Sequence, residues 1–385
     1  MSLTRRAFFI STICSTMAFN RGSVNADTEQ ANNFSKYTIT DPDAGYFDVQ
    51  KRRIFINRST NPIFAQLKSN FPDVPTLKEL HSIPVPAGAF SIPSFYEDNK
   101  AWAKAVRPFV AIEDAVSKLA AAHVINTDPR QSKHQFANYL FEILIKWANK
   151  NAMFGFEYSP KSQQAWFQVE GTLFAISLAL SIFRTDFPER RKELAVIENW
   201  LEALAQKHFS IPGGPSSCCN NHYYRRALYA TSIGIMADNN TLFRNGVAAI
   251  YSALAHAKPD GALPLEIARG PRATHYQNYA LMYLVMIAEL IERQGYSVWQ
   301  LEVEGKSLHT IIEFNNKLIS RPEFAAEYSG GYEQITKFTD AQYLAWFEIY
   351  LSRFENSFME KMIAHLRPLY NRSLGGHLTV YFYNG

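Results

Sequence analysis

The chain has 385 residues, 47% of them hydrophobic, 14% aromatic and 19% charged, with a formal net charge of +4. This composition carries enough apolar mass for a large core and excludes a disordered or collagen-like chain. The charge is too small to mark a nucleic-acid binder, and no uninterrupted apolar run approaches the roughly 20 residues of a membrane helix.

Residues 1–26 read as a removable leader. Thr4-Arg5-Arg6-Ala7-Phe8-Phe9 has the twin-arginine pattern, an apolar stretch runs from Phe8 to Phe19, and Val24-Asn25-Ala26 puts small residues before a cut. The expected location is therefore the periplasm or the outside of the cell. The remaining 27–385 would form one domain, near neutral because the leader removes Arg5, Arg6 and Arg21. Of the three cysteines, Cys14 falls in the leader. Cys218 and Cys219 are adjacent and are expected to join in a vicinal disulfide, since adjacent thiols cannot staple distant elements.

Beyond the leader the chain reads as almost all helix. Apolar residues recur at helical spacing over Trp102–Ala122, Gln135–Asn149, Gln163–Phe183 and Ala195–His208. The same spacing recurs over Tyr224–Met236, Leu242–Ala257, Tyr276–Arg293, Leu308–Leu318 and Gln342–Phe354. The linkers are short and polar, punctuated by Pro188, Pro259 and Pro322. Only His377–Tyr383 alternates like a strand, with Thr379, Val380, Tyr381 and Phe382 favouring one. Helices in antiparallel succession without a fixed repeat point to a helical toroid or an irregular solenoid.

Metalloprotease, Walker, dinucleotide and serine-elbow motifs are absent, and the ten histidines do not cluster at ligand spacing. Two segments carry chemistry-bearing residues. Cys218-Cys219-Asn220-Asn221-His222-Tyr223-Tyr224-Arg225-Arg226 begins a helix after a Pro/Gly loop. Either asparagine could be its N-cap. The second segment, Gly261 to Leu281, is a loop with Arg269 and Arg272 running into an apolar helix. Tyr276 and Tyr279 fall on one face of that helix. Tyr279 reads first as a packing tyrosine. Tyr276 sits at the helix start, where the positive end of the dipole would favour a phenolate.

These segments resemble the AlgL-like alginate lyase family of polysaccharide lyases. The likeness lies in Asn220-Asn221-His222-Tyr223-Tyr224, Leu263-Pro264-Leu265-Glu266, Arg269 and Tyr276-Gln277-Asn278-Tyr279-Ala280-Leu281. It implies an all-α fold, an (α/α) toroid with a deep cleft, and cleavage by β-elimination with no metal or cofactor. It further implies Asn221, His222, Arg269 and Tyr276 as catalytic positions. Gln163, Gln164, Trp166, Tyr224, Arg225, Arg272 and Tyr279 are the expected substrate-binding positions. This chain has Tyr223-Tyr224-Arg225 where the alginate enzymes usually continue Ser-Tyr-Trp after the histidine, which puts Arg225 forward as a selector of the polymer.

The chemistry follows from the residue types. Removing H5 of a uronate and expelling the C4 oxygen requires charge to be stabilised on the carboxylate. Arg269 offers a planar fork, and Asn221 an amide donor. His222 or Tyr276 takes H5, and Tyr276 protonates the leaving oxygen. The expected partner is an acidic polysaccharide, alginate mannuronate blocks first and glucuronan second. A monomer is expected, without nucleic acid or membrane insertion. The rivals are a non-catalytic polysaccharide-binding toroid, which needs no Asn/His/Tyr trio, and a glycoside hydrolase. A hydrolase needs two opposed carboxylates, and the two segments offer only Glu266.

Overall fold

The computed structural model describes residues 34–69, 71, 73–125, 133–213, 219–335 and 341–385. Among these, the helices are α1 (Val49–Arg58), α2 (Pro62–Ser69), α3 (Leu77–Ser82), α4 (Asn99–Ile125), α5 (Lys133–Asn149) and α6 (Gln164–Phe183). Then come α7 (Arg191–Phe209), α8 (Asn221–Met236), α9 (Asn240–His256), α10 (Pro264–Ile267) and α11 (Ala273–Glu292). The series ends with α12 (Leu308–Ser320), α13 (Pro322–Tyr328), α14 (Phe347–Leu351), α15 (Ser357–Ile363) and α16 (Leu378–Phe382). The described strands are two short parallel segments, Ala89–Phe90 beside Gly155–Phe156.

Two layers result. Helices α4, α6, α8 and α11 pack in succession as an inner layer, and α5, α7, α9 and α12 each pack outside it. The layering explains the composition of the inner helices. Seventeen residues of α6 are buried, from Ala165 to Phe183, because this helix meets protein on every side. It is long and apolar enough to cross a membrane by composition, yet it is buried inside the fold. Helix starts follow their caps: Asn239 accepts from Thr241 and Leu242, and Ser307 forms a capping box with Thr310.

The C-terminal segment closes the inner ring. Helix α16 packs on α4 and on α14, which in turn packs on α11. The expected strand at His377–Tyr383 is therefore corrected: residues 378–382 form a helix, and all five are buried. A segment buried on every side has no polar face, so alternation in its sequence carries no information about period. The helix expected over Gln342–Phe354 is also broken. It is a 3-10 turn at Ala341–Leu344 followed by α14.

Candidate active site

The starts of α8 and α11, with the loop before α11, bring the two sequence segments together. Asn220 caps α8, its Oδ1 accepting from the His222 amide at 3.1 Å. Asn221 follows and is buried. Its backbone N donates to Glu266 Oε1 at 2.5 Å, and its Nδ2 lies 3.1 and 3.0 Å from the two Glu266 oxygens. Glu266, on α10, thus grips the start of α8. Burial pushes its carboxyl up to about 7, against the Asn221 bonds and the Arg269 charge. In the sequence Glu266 stands as the end of the Leu263-Pro264-Leu265-Glu266 segment and as a lone carboxylate for a hydrolase, with no role as a clamp. Its partner is distant in sequence and gave no local signal.

His222 is part-buried, with its ring stacked on Phe167 at 4.3 Å and 22°. Its Nδ1 makes no hydrogen bond among the described residues. Burial, then the charges of Arg225, Arg269 and Arg226, push the imidazole down to about 3, so it is neutral.

Arg269 and Arg272 are exposed on the turn that leads into α11. The Arg269 guanidinium lies over the Tyr276 ring, 4.7 Å from its centroid. Arg272 Nη1 donates to the hydroxyl of Tyr96 at 3.3 Å. Tyr276 does not hold the phenolate expected from the helix dipole. Burial, then the hydrogen bond and charge of Tyr96, push its phenol up to about 12, while Arg269 and Arg272 pull the other way without prevailing. The dipole effect is worth about 1 kcal/mol or less at an exposed helix end, too little to offset the desolvation.

The expected substrate-binding positions divide. Gln163 and Gln164 are half-buried at the start of α6, and Gln163 Nε2 donates to the Pro160 carbonyl at 3.2 Å. Trp166 is fully buried. It stacks on His208 at 5.1 Å, with the Arg226 guanidinium 4.7 Å from its ring centroid. The residue of this helix that reaches His222 is Phe167, one position further on. Tyr224 is likewise buried, its hydroxyl donating to the Cys219 carbonyl at 3.1 Å. Neither Trp166 nor Tyr224 presents a surface to a polymer, so both expectations are corrected. Tyr279 is half-buried, edge-on to Tyr283 at 5.2 Å. Cys218, half of the expected disulfide, lies outside the described residues. Cys219 has a φ of 63° and leads directly into the cap residue.

Arg225 is also corrected. Its Nε lies 3.2 Å from Glu170 Oε2, and its Nη2 donates to the Phe167 carbonyl at 2.7 Å. Glu170 is fully buried, and its carboxyl is pushed up to about 7 by burial. Beside this pair, Glu113 accepts from Thr172 at 2.6 Å and Gln168 at 2.9 Å and lies 3.2 Å from Arg372 Nε. The guanidinium that seemed available to a substrate is committed to a buried carboxylate of the inner ring.

One wall of the two-layered helical ring thus carries His222, Tyr276 and two exposed arginines. A profile described as alginate lyase matches residues 91–324, and the chain belongs to that family. It is 29% identical over 322 residues to a polysaccharide lyase of Stenotrophomonas maltophilia, covering 82% of this chain and 91% of the relative. An alginate lyase of Pseudomonas syringae pv. tomato is 26% identical, with 73% of each chain covered. Alginate lyase A1-III comes from Sphingomonas species A1. A histidine-to-alanine variant of it, complexed with a tetrasaccharide, matches with a TM-score of 0.81 at 28% identity, covering 91% of this chain and 98% of that one.

Proposed function

We propose that this lyase cleaves a uronate polymer, alginate mannuronate foremost, with Arg269 and Tyr276 as the central catalytic pair. The observation that carries this reading is the exposed Arg269 guanidinium set over the ring of a protonated Tyr276, beside a neutral His222. Arg269 makes no ion pair among the described residues, so its fork is open to the C6 carboxylate. Stabilising the charge that develops there by preorganised donors is worth about 3–4 kcal/mol per group. Asn221, oriented by Glu266, has a second amide N–H to offer the same charge.

The proton states suit the two transfers on guluronate, where H5 and the C4 oxygen lie on opposite faces of the ring; in mannuronate they share a face. Tyr276 holds the proton that the leaving C4 oxygen needs. His222 is unprotonated, and a bound carboxylate on Arg269 would cancel one of the charges that suppress its basicity. Where H5 and the C4 oxygen lie on opposite faces of the sugar, His222 takes H5. Where they share a face, Tyr276 must act first as phenolate, which requires the polymer to displace Tyr96 from it.

Alginate is favoured by the names of the relatives, and export by the twin-arginine pattern of residues 1–26. The test is to incubate the protein with polymannuronate, polyguluronate and glucuronan and follow near-ultraviolet absorbance. A C4–C5 double bond appearing fastest with polymannuronate is expected. Saturated reducing ends would show a hydrolase, and binding without cleavage a non-catalytic toroid.

A further inference from the structure

The loop that carries Arg269 is fastened at both ends, and its two fasteners differ. The first is part of the motif already described. Gln277 of α11 accepts from the Leu263 amide at 3.0 Å and donates to the Gly261 carbonyl at 3.2 Å. Gly261 has a φ of 98°, and a Cβ there would meet the Thr310 carbonyl oxygen at 2.2 Å, so this end is rigidly seated. The second fastener comes from the segment after α13, more than fifty residues further along the chain.

Gln334 spans the stretch between Arg269 and Tyr276. Its Oε1 accepts from the Thr274 amide at 3.0 Å. Its Nε2 reaches the Gly270 carbonyl at 3.1 Å, the Ser329 hydroxyl at 2.7 Å and the Tyr332 carbonyl at 2.9 Å. The Ile335 amide adds a bond to the Pro271 carbonyl at 2.7 Å. Gly270 has a φ of 56°, and the Tyr332 ring lies against it, 3.4 Å from where a Cβ would stand.

Resting on the proposed roles of Arg269 and Tyr276, we infer that Gln334 is a positioning residue that holds the Arg269 turn in register with Tyr276. One side chain bonds the residue after Arg269 and the residue two before Tyr276. It therefore fixes the separation of the guanidinium from the ring it covers. Its acceptor also satisfies Thr274, an N–H in the first turn of α11 that has no partner within the helix. Misplacing a reacting group by about 1 Å can cost about a hundredfold in rate, whereas part-exposed hydrogen bonds of this kind add about 1 kcal/mol each to stability. The consequence of losing Gln334 should fall on turnover more than on folding.

The test measures kcat, KM and Tm of the full chain on polymannuronate. The set is the wild type, Gln334→Ala, Gln334→Glu, Arg269→Ala and the Arg269→Ala/Gln334→Ala double variant. Gln334→Ala should lower kcat by about ten- to a hundredfold with a smaller change in KM and little change in Tm. In the double variant Gln334→Ala should cost little more than Arg269→Ala alone, because the positioned group is gone. Gln334→Glu keeps the acceptor for Thr274 but donates to Gly270 only when protonated, so its rate relative to wild type should rise as pH falls toward about 4. Wild-type kcat in Gln334→Ala, or fully additive losses in the double variant, would overturn the inference while leaving the site reading intact. Wild-type turnover in Arg269→Ala would instead overturn the site reading, and the inference with it.

Discussion

Two sets of arginines in this molecule are built differently. Arg225 and Arg372 each lie 3.2 Å from a buried glutamate, Glu170 and Glu113 respectively. Arg269 and Arg272 sit on an exposed turn, contact the rings of Tyr276 and Tyr96, and make no ion pair among the described residues. A cation already matched to a buried carboxylate holds helices together and has little charge left for a ligand. A cation without a carboxylate keeps its field for the polymer. The first set therefore belongs to the scaffold, and the second is the set our proposal assigns to the chemistry, although the two look alike in sequence.

The comparison breaks most sharply at Tyr276. Tyr276→Phe removes one hydroxyl and keeps the ring over which Arg269 lies, so packing survives. Turnover should fall by several orders of magnitude while polymer binding, measured by calorimetry, persists. Near-normal release of unsaturated product would return both proton transfers to His222. Arg269→Ala should follow, lowering kcat/KM by about a hundredfold or more with Tm nearly unchanged.

Arg225→Ala should do the reverse. It leaves Glu170 buried without its partner, a change that costs about 3–5 kcal/mol where a buried pair is broken. The variant should melt well below wild type, and whatever folds should keep its ranking of polymers. A changed ranking with unchanged Tm would return Arg225 to the substrate side.

The smallest effect concerns pH. Glu266, whose hydrogen-bond partners are the neutral amides of Asn221, is raised to about 7 by burial. A carboxyl whose folded value lies above its unfolded one binds more protons in the folded state. The stability it contributes is full below about 4.5 and is lost as pH rises through 7. Tm should therefore decline slightly between about pH 5 and pH 8, and Glu266→Gln should flatten that slope. A Tm that rises across this window would show the Glu266 carboxylate to be held ionised by the Asn221 donors.

Much of the ring was legible in the sequence because long helices with one exposed face, such as α4, α5 and α9, impose a 3.6-residue period on their apolar residues. The C-terminal closure was not, since Leu378–Phe382 is buried all round and its alternation has no polar face to report. The site was half legible. Asn221, His222, Arg269 and Tyr276 stand out by residue type at two helix starts. What the sequence hid was which neighbour claims each one. Glu266 takes the amide of Asn221, Glu170 takes Arg225, Phe167 rather than Trp166 reaches His222, and Tyr96 and Gln334 reach the Arg269 loop from far along the chain. One of these had a signal: a lone acid in the apolar helix α6 must find a cation, because buried carboxylates are rarely unpaired.

The central claim is that cleavage is a β-elimination in which H5 leaves the sugar and Tyr276 delivers a proton to the C4 oxygen. Its most direct test is the single-turnover rate on polymannuronate carrying deuterium at C5, beside the unlabelled polymer. The account predicts a primary isotope effect on the appearance of the C4–C5 double bond. Equal rates at a chemistry-limited step, with cleavage continuing, would contradict it.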